Sequence, residues 1–184
     1  MKTSILGFLL SFTILHIQAQ TKMEVEKRIN ITEVPEAAIN FQQEYLLDAG
    51  KIKWYFEQDG AHQSYECKFK LHRKKYSIEF NSEGLLEDIE ISYPLRKLPD
   101  QIEKTLERNS KKFNIKRSQI QFKEPRNELF QPDLWTKITN KEAIYFFELE
   151  VILAGEFFEL LIDSKGTIFS KRRIVPPTGL YLEF

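Results

Sequence analysis

The chain places its apolar residues on alternate positions in two stretches that match each other. "YSIEFNSEGLLEDIEI" and "FELLIDSKGTIFSKRR" each alternate, break at a short polar turn closed by Gly, and resume as a second extended run. A period of two is the mark of a strand with one buried face. Displaced by 82 positions, Tyr65, Cys67, Phe69 and Leu71 fall on Phe147, Leu149, Val151 and Leu153. Tyr76, Ile78 and Phe80 fall on Phe158, Leu160 and Ile162, and Gly84 falls on Gly166. Both glycines stand where a tight turn calls for positive φ.

The period changes upstream of each stretch. In "EVPEAAINFQQEYL", Val34, Ala38, Phe41 and Tyr45 form the stripe of an amphipathic helix. "KLPDQIEKTLERNS" repeats it at an offset of 64, with Leu98, Ile102 and Leu106 on one side and Pro99 suited to the first turn. An aromatic strand follows each helix: Ile52, Trp54 and Phe56 in the first copy, Ile120 and Phe122 in the second. Asp59-Gly60 marks a turn after the first of these. The drop in offset leaves the second copy 18 residues longer, mostly in "EPRNELFQPDLWTKITNKE", read as an insertion or long hairpin arm.

These elements predict an α+β protein of two tandem repeats, each a helix packed on a four-stranded antiparallel sheet. The repeats would span 20–96 and 97–175, with a tail at 176–184, and their sheets would be free to join into one larger sheet. "TIFSKRRIV" is the weakest strand, because Lys171 and Arg173 stand where Ile89 and Ile91 do in the first copy.

The chain's beginning changes the setting. Lys2, the apolar run Ile5 to Leu15 and the small Ala19 read as a signal peptide over 1–19. The run is shorter than the ~20 residues that span a bilayer, so no stable membrane insertion is expected. The expected location is the periplasm or the exterior. A formal net charge of zero provides no field to draw nucleic acid. Cys67 is the only cysteine, so stability must come from the core, to which fifteen Phe, seven Tyr and two Trp can contribute.

"VPEAA" and "LPDQI" opening helices, with "YECKFKLHRKKYSIEFNSEGLLEDI" between, resemble the PepSY-like, beta-lactamase-inhibitor-like exported proteins of Bacteroidetes-type bacteria. The resemblance covers nearly all of the chain after residue 19, as two tandem copies. Its "FD-x-x-G" turn reads "FNSEG" and "IDSKG" here. It implies a non-enzymatic protein that binds or inhibits another protein or peptide; none of the inhibitors' contact residues is carried over.

Candidate chemistry is sparse. His62 falls in a turn and His72 at a strand end, without a second His or Cys at metal-ligand spacing, and His16 lies in the leader. Cys67 shares the apolar side of its strand with Tyr65 and Phe69, which reads as an inert thiol. No cofactor is expected. Glu148, Glu150 and Glu159 alternate onto one face of neighbouring strands, where they form either a cation or acid site or a solvated face balanced by Arg172 and lysines. That face is unusual in also carrying Phe146, Ile152, Phe157 and Leu161. The arm, with Phe130 and Trp135, and the terminal "GLYLEF" are candidate covers for it. The partner surface is therefore expected at Phe130, Trp135, Phe146, Ile152, Phe157 and Leu161. A third reading is a structural envelope component with no dedicated partner.

Overall fold

The computed structural model describes residues 20–123, 138 and 143–175. The leader, the C-terminal tail, Phe130 and Trp135 lie outside the described residues.

Ten strands run in chain order as β1 (Gln20–Lys22), β2 (Glu24–Ile29), β3 (Lys53–Asp59), β4 (His62–Leu71), β5 (Lys74–Asn81), β6 (Leu86–Ser92), β7 (Phe113–Lys123), β8 (Phe146–Leu153), β9 (Glu156–Ile162) and β10 (Ile168–Ile174). Helix α1 (Glu36–Tyr45) precedes β3, and α2 (Asp100–Asn109) precedes β7. Both helices start directly after a proline, Pro35 and Pro99. Each turns its apolar stripe to the sheet: Ala38 and Phe41 are buried on α1, Ile102 and Leu106 on α2.

The expectation of two four-stranded repeats is wrong. All ten strands form one sheet in the order β1-β10-β9-β8-β7-β6-β5-β4-β3-β2. A four-stranded unit ending at β6 would leave that strand's N–H and C=O groups unpaired, a liability that sheets avoid. Strand β7 fills this edge, pairing antiparallel from Asp88↔Lys123 to Ser92↔Gln119. The residues "KKFNIKRSQ", which precede the predicted strand at Ile120 and Phe122, are mostly the first half of the eleven-residue β7. The core is shared as well: Phe122 of β7 is buried in the cluster under α1, and Ile120 touches both clusters.

Two strands that the pattern did not predict close the sheet. β1 and β2 are separated only by Met23, yet they occupy opposite ends of the hydrogen-bonded order. The sheet must therefore curl until its ends meet, giving a nearly closed barrel. β1 pairs parallel with β10, the one parallel pair in an otherwise antiparallel sheet. The seam is fastened by Met23 N–H donating to Asp59 Oδ1 at 2.8 Å, an Arg172–Asp59 ion pair, and Lys22–Glu24 at 2.7 Å.

The matched turns have one geometry. Asn81 Oδ1 accepts from the N–H of Glu83 and Leu85, as Asp163 Oδ1 does from Lys165 and Thr167. Gly84 has φ 80° and Gly166 φ 85°, as expected. A Cβ on Gly84 would lie 2.9 Å from Ala38 N of α1, and one on Gly166 2.9 Å from Gln101 O of α2. Each glycine thus lets a helix seat directly on its turn. The β4–β5 and β8–β9 hairpins also match, with positive φ at His72-Arg73 and Ala154-Gly155.

Candidate binding basin inside the curled sheet

Alternation assigns every strand residue to one of two faces. Trp54, Cys67, Ile78, Ile89, Leu149 and Leu160 lie under the helices. The opposite face is polar, and the curl turns it inward. There it lines a basin of about 560 Å³ to which all ten strands contribute. Ten carboxylates, five Lys or Arg side chains and His62 surround it.

Several carboxylates stand directly across from one another on paired strands. Glu26 faces Glu57, Glu66 faces Glu79, Glu79 faces Asp88, and Glu150 faces Glu159. Like charges so placed repel. Three devices relieve the repulsion. The first is ion pairing. Lys68 reaches Glu66 at 2.6 Å and also pairs with Glu26, Arg117 reaches Glu150 at 2.6 Å, and Lys22 reaches Glu159 at 2.6 Å. The second is protonation. Burial, with a shared hydrogen bond to Glu66, pushes the Glu57 carboxyl up to about 11. Burial followed by the charges of Glu90 and Glu159 raises Glu148 well above the usual range, and burial first, then Glu79, does the same to Asp88. The third is hydrogen bonding. Burial acts most strongly on Glu79 and would raise it, but bonds from His62 and Ser64 with the charge of Lys123 hold it down at about 2.

Backbone irregularities re-aim side chains onto this face, a known use of β-bulges. Glu79 faces Asp88 while Phe80 faces Leu86, so Glu87 is the extra residue on β6. The matching irregularity on β10 skips Phe169, which is 68% exposed and lies ring to ring with Phe146 at 5.1 Å.

The acidic trio does share one face. Glu148 is buried, and Arg117, Lys22 and Arg172 supply its countercharge: Glu159 takes Lys22 and Arg172, Glu150 takes Arg117. Arg172 and lysines were foreseen as a balance, Lys22 being the one that serves; Arg117 was not foreseen. Phe146, Ile152, Phe157 and Leu161 belong by alternation to the same inward-turned face as the acidic trio, so the face expected to meet a partner is the inside of the curl. Ile152 stands across from Phe157 at one end, while Leu161 stands across from Glu148 nearer Phe146. Of the arm, Ile138 and Ala143 pack against the core under α1, on the helix side of the sheet. Sequence reasoning missed Glu57, Glu66, Glu79, Glu87, Asp88 and Glu90 as site residues. Their alternation reads as an ordinary wet face until the curl makes it an interior. Cys67 is fully buried, and burial raises its thiol pKa, as an inert thiol requires.

The fold has solved counterparts. A DUF2874 family protein from Bacteroides uniformis superposes with a TM-score of 0.53 at 11% identity, covering 76% of this chain and 89% of that one. A BLIP-like protein from Bacteroides fragilis gives 0.51 at 16% identity, covering 80% and 92%. A protein provisionally assigned to the periplasm of Bacteroides eggerthii gives 0.53 at 12% identity, covering 76% and 88%. At these identities the likeness is one of fold; it carries neither the PepSY label nor the tandem copies. No family model matches the sequence, and no curated protein matches it.

Proposed function

We propose that the protein is an exported, non-catalytic binding protein that takes a Lys- or Arg-bearing segment of another protein into its acidic basin. The observation that carries this reading is the composition of the inward face: ten carboxylates against five fixed cations around an open basin. A partner's cation entering there adds opposite-charge contacts to a lining in which carboxylates outnumber fixed cations, whereas an anionic segment meets that acidic excess. The Phe146–Phe169 pair, with exposed Ile144 beside it, offers apolar anchors at the rim. Periplasmic location is supported by the leader-like residues 1–19 and by the provisionally periplasmic counterpart. A protein as the partner class is what the inhibitor-like sequence resemblance implies. Binding is favoured over acid–base catalysis on Glu148, Glu150 and Glu159 because Arg117, Lys22 and Arg172 already engage that trio.

The test is anisotropy titration of fluorescent Lys-rich, Glu-rich and uncharged peptides at low and physiological salt. The Lys-rich peptide should bind selectively. The double variant Glu66→Gln/Glu90→Gln should weaken it about tenfold, the scale of removing charge-assisted bonds. Equal binding of all three peptides, or indifference to the double variant, removes the basin from the account.

A further inference from the structure

We propose that His62, Glu79 and Glu87 form a binding site for a divalent transition metal of the zinc class at the edge of the basin. His62 Nε2 stands 3.0 Å from Glu87 Oε2 and 3.8 Å from Glu79 Oε1, and the three donor atoms lie within 4.8 Å of one another. Bonds of about 2.0–2.2 Å around tetrahedral zinc separate the donors by roughly 3.3 Å, so modest side-chain rotations close the set around an ion. One nitrogen and two carboxylate oxygens neutralise the ion's charge and leave the fourth position for water or a partner's group. The imidazole sets the metal class: calcium and magnesium prefer all-oxygen shells, whereas zinc-class ions take nitrogen readily.

The three donors stand on adjacent strands of one rigid sheet. Glu87 joins them because it is the bulged residue of β6; in regular alternation between Leu86 and Asp88 it would face away from Glu79. The fold does not demand such donors there. The positions 82 residues on, which end in the matching bulge of β10, hold Ile144, Leu161 and Phe169. The same backbone device is thus built with apolar side chains in one place and with one nitrogen and two oxygen donors in the other. Lys123 faces the set but approaches Asp88, at 3.9 Å. The other close carboxylate group, Glu24, Glu26 and Glu57, carries no such inference, since Lys22 and Lys68 already occupy it and it lacks a nitrogen.

The site is independent of the partner reading, and its test uses no peptide. Metal-free protein is titrated with Zn²⁺ by calorimetry and with Co²⁺ by visible absorption, which reports nitrogen–oxygen coordination. One equivalent should bind, and His62→Ala and Glu87→Gln should each weaken it by about tenfold or more, a loss at least as large as that for outer-shell partners. Glu26→Gln and His72→Ala should leave it unchanged, and a tenfold excess of Ca²⁺ should not displace it. His62 has a side chain 53% exposed, so its removal leaves the fold intact, and circular dichroism verifies this for each variant. Absence of saturable binding, an affinity indifferent to His62→Ala and Glu87→Gln, or displacement by Ca²⁺ overturns the proposal.

Discussion

At the scale of single residues, the helix-seated Gly166 and the hairpin Gly155 separate backbone strain from steric closeness. Gly166 has φ 85° and no room for a Cβ, with Thr105 Oγ1 at 2.7 Å. Gly155 has φ 90° and nothing within 4 Å. Alanine at Gly155 should therefore cost only the left-handed backbone term, about 1–2 kcal/mol. Alanine at Gly166 should cost more, because α2 must also move off its turn and the Thr105 Oγ1 bond to the Gly166 carbonyl at 2.6 Å is lost. Urea denaturation of the two variants gives the difference directly; equal losses would mean that α2 is not held by this contact. Cys67, buried and with its pKa raised, should react with a thiol reagent only at the rate at which the protein unfolds.

At the scale of elements, the seam between β1, β2, β3 and β10 is the part most exposed to change. β1 has three residues and a single strand partner, β10. The Arg172–Asp59 pair joins the two ends of the sheet across it, with both side chains partly exposed. Exposed pairs contribute little to global stability, so Arg172→Ala should shift the melting temperature slightly. Its effect should instead be local. Hydrogen exchange of β1 and β2 amides should accelerate, while β5 to β8, in the middle of the sheet, keep their protection. Uniform acceleration across all strands would show that closure is cooperative with the whole sheet. The leader and tail lie outside this prediction, as does the arm beyond Ile138 and Ala143.

At the scale of the molecule, the basin makes stability depend on pH in a definite sense. Glu57 has a folded pKa of about 11 against 4.5 unfolded, and Glu148 is likewise raised. Between those values the folded chain holds protons that the unfolded chain has released. Stability therefore falls as pH rises above about 4.5. Glu79, held at about 2, contributes in the opposite sense, and its share is lost only as pH falls below about 4.5. The melting temperature should accordingly be higher near pH 5 than near pH 8. Glu57→Gln/Glu148→Gln should flatten that slope and stabilise the protein at pH 8. A melting temperature that climbs from pH 5 to pH 8 would show that these carboxyls are ionised inside the basin.

Much of the local structure is determined by the sequence itself, because its causes are local. The Pro-led helices with Ala38, Phe41, Ile102 and Leu106 inward follow from a period near 3.6. So do the alternating strands β3 to β6 and β8 to β9 from a period of two, and the Asn81–Gly84 and Asp163–Gly166 turns from side-chain hydrogen bonds within four residues. Strand β10 formed despite its weak alternation because β9 on one side and β1 on the other satisfy its backbone. What only the tertiary structure decided is the union of the strands. The pairing of β6 with β7, the placing of β1 and β2 at opposite ends of one sheet, and the resulting curl rest on contacts distant in sequence. The basin exists only through that curl. Glu79 and Glu148 have the same alternating pattern whether their face is flat and wet or curled and enclosed. Likewise, the bulge that brings Glu87 beside His62 depends on which residue β5 pairs with, a choice made by the assembled sheet.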